Sequence, residues 1–378
     1  MMTANEKSTL SRTGIWVCAG LLLLAAGLIL FLALQPAEQA KNKSAAVLSV
    51  DGAYQTEMED RFSTILFGEV ALKKKEYRIS DTAAAAPVPD ETCYGEAASP
   101  AELQWLVDKA AELLDGQKLY FTTDIETYAE SPVYYYMDET IFAITWKQVI
   151  HDTVFTFSEV KLMHPSQFRR YLTGGEFGSG ILAKSTEMSQ TVNAVVACSA
   201  DFYAYRRKGI TVTNGVVNKY IPGVPDNCYI DRNGDMILER KLDFADTAEA
   251  QAYVDEHNIN FSLSFGPILV KDGEYSCPKG YILGEVHKQF PRAAICQMDT
   301  LHYLFAAANM DKHYWTPLTM EEFAQCIFET GCRQAYALDG GQTATVVMNN
   351  TLMNNVNYGS ERLISDIIYF ATAKPAGE

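Results

Sequence analysis

The residues best placed to do chemistry cluster at Asp339-Gly340-Gly341, within the run Ala335-Tyr336-Ala337-Leu338-Asp339-Gly340-Gly341-Gln342-Thr343-Ala344-Thr345. Tyr336 to Leu338 reads as a short buried strand, and a second apolar strand follows the glycines. Two consecutive glycines let the backbone turn sharply and come close to a ligand. A run of turn N–H groups can also form an anion-binding concavity. Asp339 falls at the strand end, on the lip of that turn. Taken alone, Asp-Gly is equally an ordinary turn whose Asp caps its own backbone. The residues around it must decide.

Other chemistries find no support. His151, His164, His257, His287 and His313 form no ligand spacing, and His302 lies in the apolar run Leu301-His302-Tyr303-Leu304-Phe305, where a lone histidine is usually a satisfied core group. The eight cysteines include no Cys-x-x-Cys pair, which argues against structural zinc. Asp231-Arg232-Asn233-Gly234-Asp235 begins like a calcium loop, but its sixth position is Met236 and its closing position Leu242. An Asn-Gly hairpin explains it better. A phosphate-binding Gly-x-x-x-x-Gly-Lys loop and any local triad signature are missing too. The reading calls for no metal and no cofactor.

Several ordered motifs change the balance at Asp339. Phe265-Gly266-Pro267-Ile268-Leu269-Val270-Lys271-Asp272-Gly273, Pro291-Arg292-Ala293-Ala294-Ile295, Asp339-Gly340-Gly341 and Glu361-Arg362-Leu363-Ile364-Ser365-Asp366 together resemble the phosphodiester glycosidase family. That family includes the uncovering enzyme of the lysosomal mannose-phosphate tag and bacterial exopolysaccharide biosynthesis proteins. The resemblance runs from about Tyr135 to Phe370. It takes in Asn193 to Tyr203, with Asp201, and Thr213-Asn214-Gly215.

The resemblance implies hydrolysis of a sugar-1-phosphodiester at the anomeric carbon. A phosphate monoester leaves, and it is weakly basic, so little general-acid help is needed. The reaction needs cations on the phosphate and a carboxylate that activates water or stabilises the oxocarbenium-like centre. Matching family positions supply these. Asp339 and Asp201 are the catalytic candidates, and Arg292, Arg362 and Arg206 the phosphate or sugar ligands. Gly340, Gly341 and Ser365 would bind substrate by hydrogen bonding and close backbone approach. For Arg362 an ion-pair network with Glu361 and Asp366 is an equal alternative. Cys198 and Cys296 fall in neighbouring parts of the family's site. A disulfide in an exported domain and two buried thiols are both open readings.

This sequence also departs from the family pattern. Ser199-Ala200 stands where Asn-Gly is usual, Gln342-Thr343-Ala344 replaces Gly-Ser-Ser or Gly-Ser-Ala, Thr213 replaces an arginine, and Asn309-Met310 an Asp-Gly. Ser199 and Thr343 keep short hydroxyls. Losing an asparagine donor and a phosphate arginine removes transition-state binding of several kcal/mol, on the order of one donor each. The alternative is therefore a non-catalytic phospho-glycan or carbohydrate-binding protein that assists exopolysaccharide assembly.

The elements that must position these groups read as α+β, with mixed β-sheets and a few packed helices. Strands are expected at Thr140–Trp146, Asp152–Leu162, Val192–Ala197 and Phe261–Val270, with hairpins at Asn214-Gly215 and Asn233-Gly234. Helices are expected at Pro100–Leu114, Pro165–Leu172 and Thr247–His257, and after Thr319, whose Glu322 completes a capping box. Ile15 to Leu34 is an uncharged apolar run of roughly 20 residues, the length of a membrane-spanning helix. The expected order is a cytoplasmic tail (1–14), an anchor (15–34), a stalk with an accessory helix (35–130) and the glycosidase-like domain (131–374). That places a single-pass protein at the cell membrane with its bulk outside the cytoplasm. The net charge of −16 argues against nucleic acid and anionic lipid as partners, though a few arginines can still hold a small anionic sugar phosphate or glycan.

Overall fold

The two long alternating runs of the sequence pair as β4 (Ile141–Ile150) and β5 (Thr153–Leu162), antiparallel over their full length. They belong to a nine-stranded sheet. In spatial order it runs β14 (Glu274–Tyr275), β13 (Ile268–Lys271), β17 (Gln334–Leu338), β15 (Arg292–Asp299), β16 (His302–Asn309), β5, β4, β3 (Val133–Met137) and β2 (Tyr94–Ala97). The structure, a computed structural model, describes residues 77–78 and 85–375 apart from 115, 129–130, 202, 282–285, 312 and 315. All of these belong to one unit, Val47–Glu378. The tail, the apolar span at 15–34 and most of the stalk lie outside the described residues. Among those described, no helix is long and apolar enough to cross a membrane.

A second sheet has five strands in the order β19 (Thr351–Leu352), β18 (Val346–Met348), β7 (Val196–Ser199), β20 (Asp366–Phe370) and β6 (Phe168–Leu172). A third joins β11 (Met236–Arg240), β10 (Asp226–Asp231) and β12 (Ile259–Leu263), beside the hairpin β8 (Gly209–Thr213)–β9 (Val216–Ile221). A short pair, β1 (Tyr77–Arg78) and β21 (Lys374–Pro375), completes the named strands. Among the described residues four α-helices accompany them: α1 (Pro100–Leu113), α2 (Ser185–Val192), α3 (Thr247–Glu256) and α4 (Met320–Glu329). The arrangement is α+β. Among the described residues the named strand pairs run antiparallel, so the mixture is one of sheets rather than of strand direction.

The two large sheets meet through aromatic side chains. Phe168 of β6 lies with ring centroids 4.8 Å from both Tyr303 of β16 and Phe370 of β20. All three are fully buried in the main core, and each such ring contributes roughly 1.5–3 kcal/mol by leaving water. The segment before residue 131 joins the same core. Cys93, Tyr94, Leu106, Ala110 and Phe121 are buried in it. The α1 helix starts at a capping box in which Ser99 and Glu102 satisfy each other's backbone N–H groups.

Local expectations are revised. Phe261–Val270 is not one strand: β12 ends at Leu263 in the three-stranded sheet, and β13 starts at Ile268 in the nine-stranded one. Pro165–Leu172 is not a helix. Only Pro165–Gln167 makes a 3-10 turn, and Phe168–Leu172 is the edge strand β6. Phe168 and Leu172 are four apart, which suits a helix face, but both also fall on one face of a strand. Cys198 and Cys296 form no disulfide; both thiols are free and buried, and the sulfur that Cys296 meets is that of Cys332. The Asp339 turn does carry strand, turn and strand as read, with a cross-over. β17 belongs to the nine-stranded sheet and β18 to the five-stranded one. The turn therefore passes between sheets, and the site lies there.

Candidate active site

Three strand ends converge at that passage. β7 ends at Ser199 and delivers Asp201, β17 ends at Leu338 and delivers Asp339, and β20 begins with Asp366. Their backbones are tied together: Asp339 N donates to Ala200 O (3.3 Å), and Asp201 N donates to Asp366 Oδ2 (3.3 Å). The glycine after Asp339 is required by space. A Cβ on Gly340 would lie 2.5 Å from Pro291 O, well inside contact distance. Gly341 has φ +64° and its N–H donates to that same carbonyl at 2.8 Å. The turn is thus held against β15, directly beside Arg292.

Asp201 sits in a buried cage. Arg206 grips both of its oxygens, with Nη2 2.9 Å from Oδ2, while Arg170 Nη2 reaches Oδ2 at 3.5 Å and Ser264 N at 3.1 Å. Burial alone would raise its pKa, but the two guanidinium groups and the Ser264 N–H outweigh that and hold it below the usual carboxylate range. Arg170 also binds Asp366 Oδ2 through Nε (3.0 Å) and Nη2 (2.7 Å), and Ser365 Oγ donates to Asp366 Oδ1 (2.9 Å). Burial pushes the Asp366 carboxyl up to about 6 against the pull of Arg170, with the Asp201 charge adding to the push.

Asp339 is in a different position. It borders an open hollow with an empty volume of about 210 Å³, lined also by Asp201, Tyr205, Thr343, Arg362, Leu363 and Ser365. Loss of water raises its carboxyl to about 6, the nearby charges of Asp201 and Asp366 add to this, and Thr343 and Arg362 partly oppose it. A carboxyl in that range can exchange a proton near neutral pH. Arg362 is exposed and stacks over the Tyr205 ring, 5.7 Å from its centroid. Its two expected ion-pair partners are engaged elsewhere. Glu361 accepts from Thr186 N (3.1 Å) and Thr186 Oγ1 (2.6 Å), and Asp366 is held by Arg170.

The candidates named from the sequence therefore separate. Asp339, Asp201, Arg362 and Ser365 share the hollow's lining, and Gly340 and Gly341 shape its floor. Arg206 faces inward. Its guanidinium donates to Asp201, Ser264 O and Lys208 O, so it acts as the counter-charge of Asp201 instead of facing a ligand. Arg292 is buried, with Nε bonded to Leu318 O at 3.2 Å and Nη2 to Lys288 O, and its guanidinium over Phe290. It secures loop carbonyls near the turn. Ser199 does not supply a hydrogen bond: its Oγ is buried with no partner. Gln342 points out to Ser360 O (2.9 Å) and fastens the turn to the loop that carries Arg362.

Arg170 and Asp366 are the members that sequence reasoning missed as site residues. Arg170 was hidden by the helix reading of 165–172. Strand alternation of Phe168, Arg170 and Leu172 would have placed its side chain on the core face.

Residues 192–371 match the family model described as phosphodiester glycosidase. Over that span, just under half of its length, the chain is similar to the phosphodiester glycosidase family. The matched span contains Asp201, Asp339, Arg362 and Asp366, while Arg170 lies before it. Similar solved structures include the catalytic domain of zebrafish N-acetylglucosamine-1-phosphodiester alpha-N-acetylglucosaminidase auto-inhibited by its pro-peptide. That one is 16% identical with TM-score 0.49, covering 68% of this chain and 92% of that one. A hypothetical protein from Synechocystis is 14% identical (TM-score 0.45, 64% of each chain). An exported protein from Burkholderia pseudomallei is 10% identical (TM-score 0.43, 58% of this chain and 74% of that one). No curated protein matches the chain.

Proposed function

We propose that this protein hydrolyses sugar-1-phosphodiesters, with Asp339 as the general base. Water attacks the anomeric carbon and passes a proton to the Asp339 carboxylate. The bond from that carbon to the phosphate oxygen breaks, and its electron pair leaves with the phosphate monoester, held by Arg362. The products are the free sugar and the monoester. Asp201 acts here as a fixed negative charge, kept ionised by Arg170 and Arg206, that raises Asp339 and favours the cationic character developing at the sugar carbon. The observation that supports this most is the hollow that Asp339 and Arg362 share, in which a raised carboxyl faces an unburied cation.

Release of reducing sugar from a methyl N-acetylglucosamine-1-phosphodiester by the full-length protein tests the reading. Turnover that Asp339→Asn lowers by at least about a thousandfold supports it, and unchanged turnover in the variant excludes Asp339 as the base. The apolar run at Ile15–Leu34 fits an anchored, extracytoplasmic enzyme acting on surface glycans or exopolysaccharide.

One observation favours a second reading. Arg206 and Arg292 spend their donors on protein acceptors, so the phosphate clamp is thinner than the motifs implied. A phospho-glycan-binding protein needs only the remaining cation and the hollow. Saturable binding of the diester without any sugar release would support that reading over hydrolysis.

A further inference from the structure

The nine-stranded sheet holds two cysteines in contact. Cys296 lies in β15 opposite Ala335 of β17, and Cys332 stands in the turn that leads from α4 into β17. Arg333 N donates to Gln297 O (2.9 Å), so the chain right after Cys332 is fastened to β15 right after Cys296. On its other side, the Cys332 thiol reaches Ile327 O in the last turn of α4 at 3.7 Å. Both side chains are buried in the main core, and the Cys296 thiol donates to the Cys332 sulfur. Two thiols can be joined without backbone movement only where the fold already sets them against each other. Here the β15–β17 ladder and the Arg333 bond do so.

The two thiols are also unlike. Contact with the Cys296 thiol holds Cys332 below its ordinary value against the effect of burial, while burial pushes Cys296 well up. Cys332 is therefore the first of the pair to become the nucleophilic thiolate. Cys198 and Cys228, equally buried, are perturbed by burial alone. A route to the pair exists as well. Thr330 and Gly331, immediately before Cys332, line an open cleft of about 650 Å³ together with Met298 and Tyr120.

We infer that Cys296 and Cys332 are a disulfide-forming pair, closed by a low-molecular-weight disulfide in an oxidising compartment. The Cys332 thiolate attacks one sulfur of the small disulfide. That S–S bond breaks, and one small thiol leaves with the electron pair and takes up a proton. Cys296, giving its proton to water, then attacks the Cys332 sulfur of the mixed disulfide and expels the second small thiol. Two protein thiols are oxidised and one small disulfide is reduced to two thiols. The product clamps the entry of β17 to β15, the strands that deliver Asp339 and Arg292. Neither cysteine lines the hollow, so the link acts by constraining the unfolded chain between residues 296 and 332.

The test treats reduced full-length protein with oxidised glutathione under native conditions, blocks the remaining thiols with iodoacetamide in denaturant, and maps the peptides by mass spectrometry. The expected product joins the Cys296 and Cys332 peptides with the loss of two hydrogens. It should unfold at a midpoint about 5–10 °C above that of the reduced protein, and added dithiothreitol should reverse the shift. Cys332→Ala is expected to abolish both the cross-link and the shift. Cys277→Ser, which removes the half-buried thiol, should keep both. The mapping of the unmodified sequence stands even where a variant fails to fold. Recovery of Cys296 and Cys332 as alkylated thiols overturns the inference. A cross-link from either to another cysteine, glutathione retained on Cys332, or a midpoint unmoved by the cross-link does so too.

Discussion

Asp339 and Asp201 are the same residue type and end up in opposite electrostatic surroundings. Asp201 is surrounded by two arginines and a backbone N–H, and stays ionised. Asp339 is buried away from water, with one exposed cation and two negative charges nearby, and its carboxyl rises to about 6. The sign of the stability effect follows. A carboxyl whose folded pKa lies above its unfolded value favours the folded state when protonated, so that contribution is present below about 4 and is lost as pH rises to about 6. Asp339→Asn should therefore stabilise the protein at pH 7.5, by on the order of 1–2 kcal/mol after allowing for solvent at the hollow. Urea unfolding at pH 4.5 and 7.5 checks this; a gain at the lower pH only would contradict it. Arg170 tests the buried cage. Arg170→Met leaves Asp366 without its guanidinium, and the loss should be about 3–5 kcal/mol in the same experiment. A loss below 1 kcal/mol would mean the cage is not held as described. Asp339, Arg362 and Ser365, which line one hollow, stood out in the sequence because short contiguous motifs contain them. Arg170 was not, since its importance exists only once β6, β7 and β20 lie side by side.

At the level of elements, local chemistry was the most readable part. The capping boxes at Ser99 and Thr319 begin helices where their side chains can satisfy backbone N–H groups. The Asn214-Gly215 turn closes its hairpin with both residues at positive φ, and Gly234 supplies the positive φ in the longer connection of the β10–β11 hairpin. The turn at Gly340-Gly341 was readable as a turn, but its passage from one sheet to the other was not. That depends on Pro291 O, which arrives from a strand far away in sequence. Gly340→Ala puts a methyl group 2.5 Å from that oxygen, so either the turn or β15 must move. The expected result is at least about 2 kcal/mol of lost stability with sugar release reduced more than tenfold. Gly341→Ala meets no atom within 4 Å and should cost only about 1 kcal/mol, from its positive φ. Equal behaviour of the two alanine variants in thermal unfolding and sugar release would refute the close-contact explanation.

For the whole molecule, alternating hydrophobicity was enough to read α+β, but not to assign strands to sheets. β5 pairs with β16, and β7 with β18 and β20, across long stretches of chain. Nothing local encodes such partners; they are chosen by which faces bury together. The region before residue 131 shows the same effect. Its loop supplies Tyr120 N and Phe121 N to the buried Glu159 carboxylate (2.6 and 2.8 Å), which also meets His302 Nε2 at 2.8 Å. A protein beginning at residue 131 would leave that carboxylate short of donors and expose the β3 face. It should be insoluble or unfolded by circular dichroism, whereas one beginning at residue 85 should fold. A cooperative unfolding transition in the shorter protein would show that this region is dispensable.

The central claim is that a carboxyl raised to about 6 accepts the proton of water in a hollow it shares with Arg362. Its most direct test is the pH dependence of kcat/KM for sugar release from the methyl diester between pH 4 and 8. A tenfold rise per pH unit below an apparent pKa near 6 and a plateau above it are expected, because only the ionised Asp339 takes the proton. A rate that is flat through this range, or that falls as pH rises through 6, would contradict it.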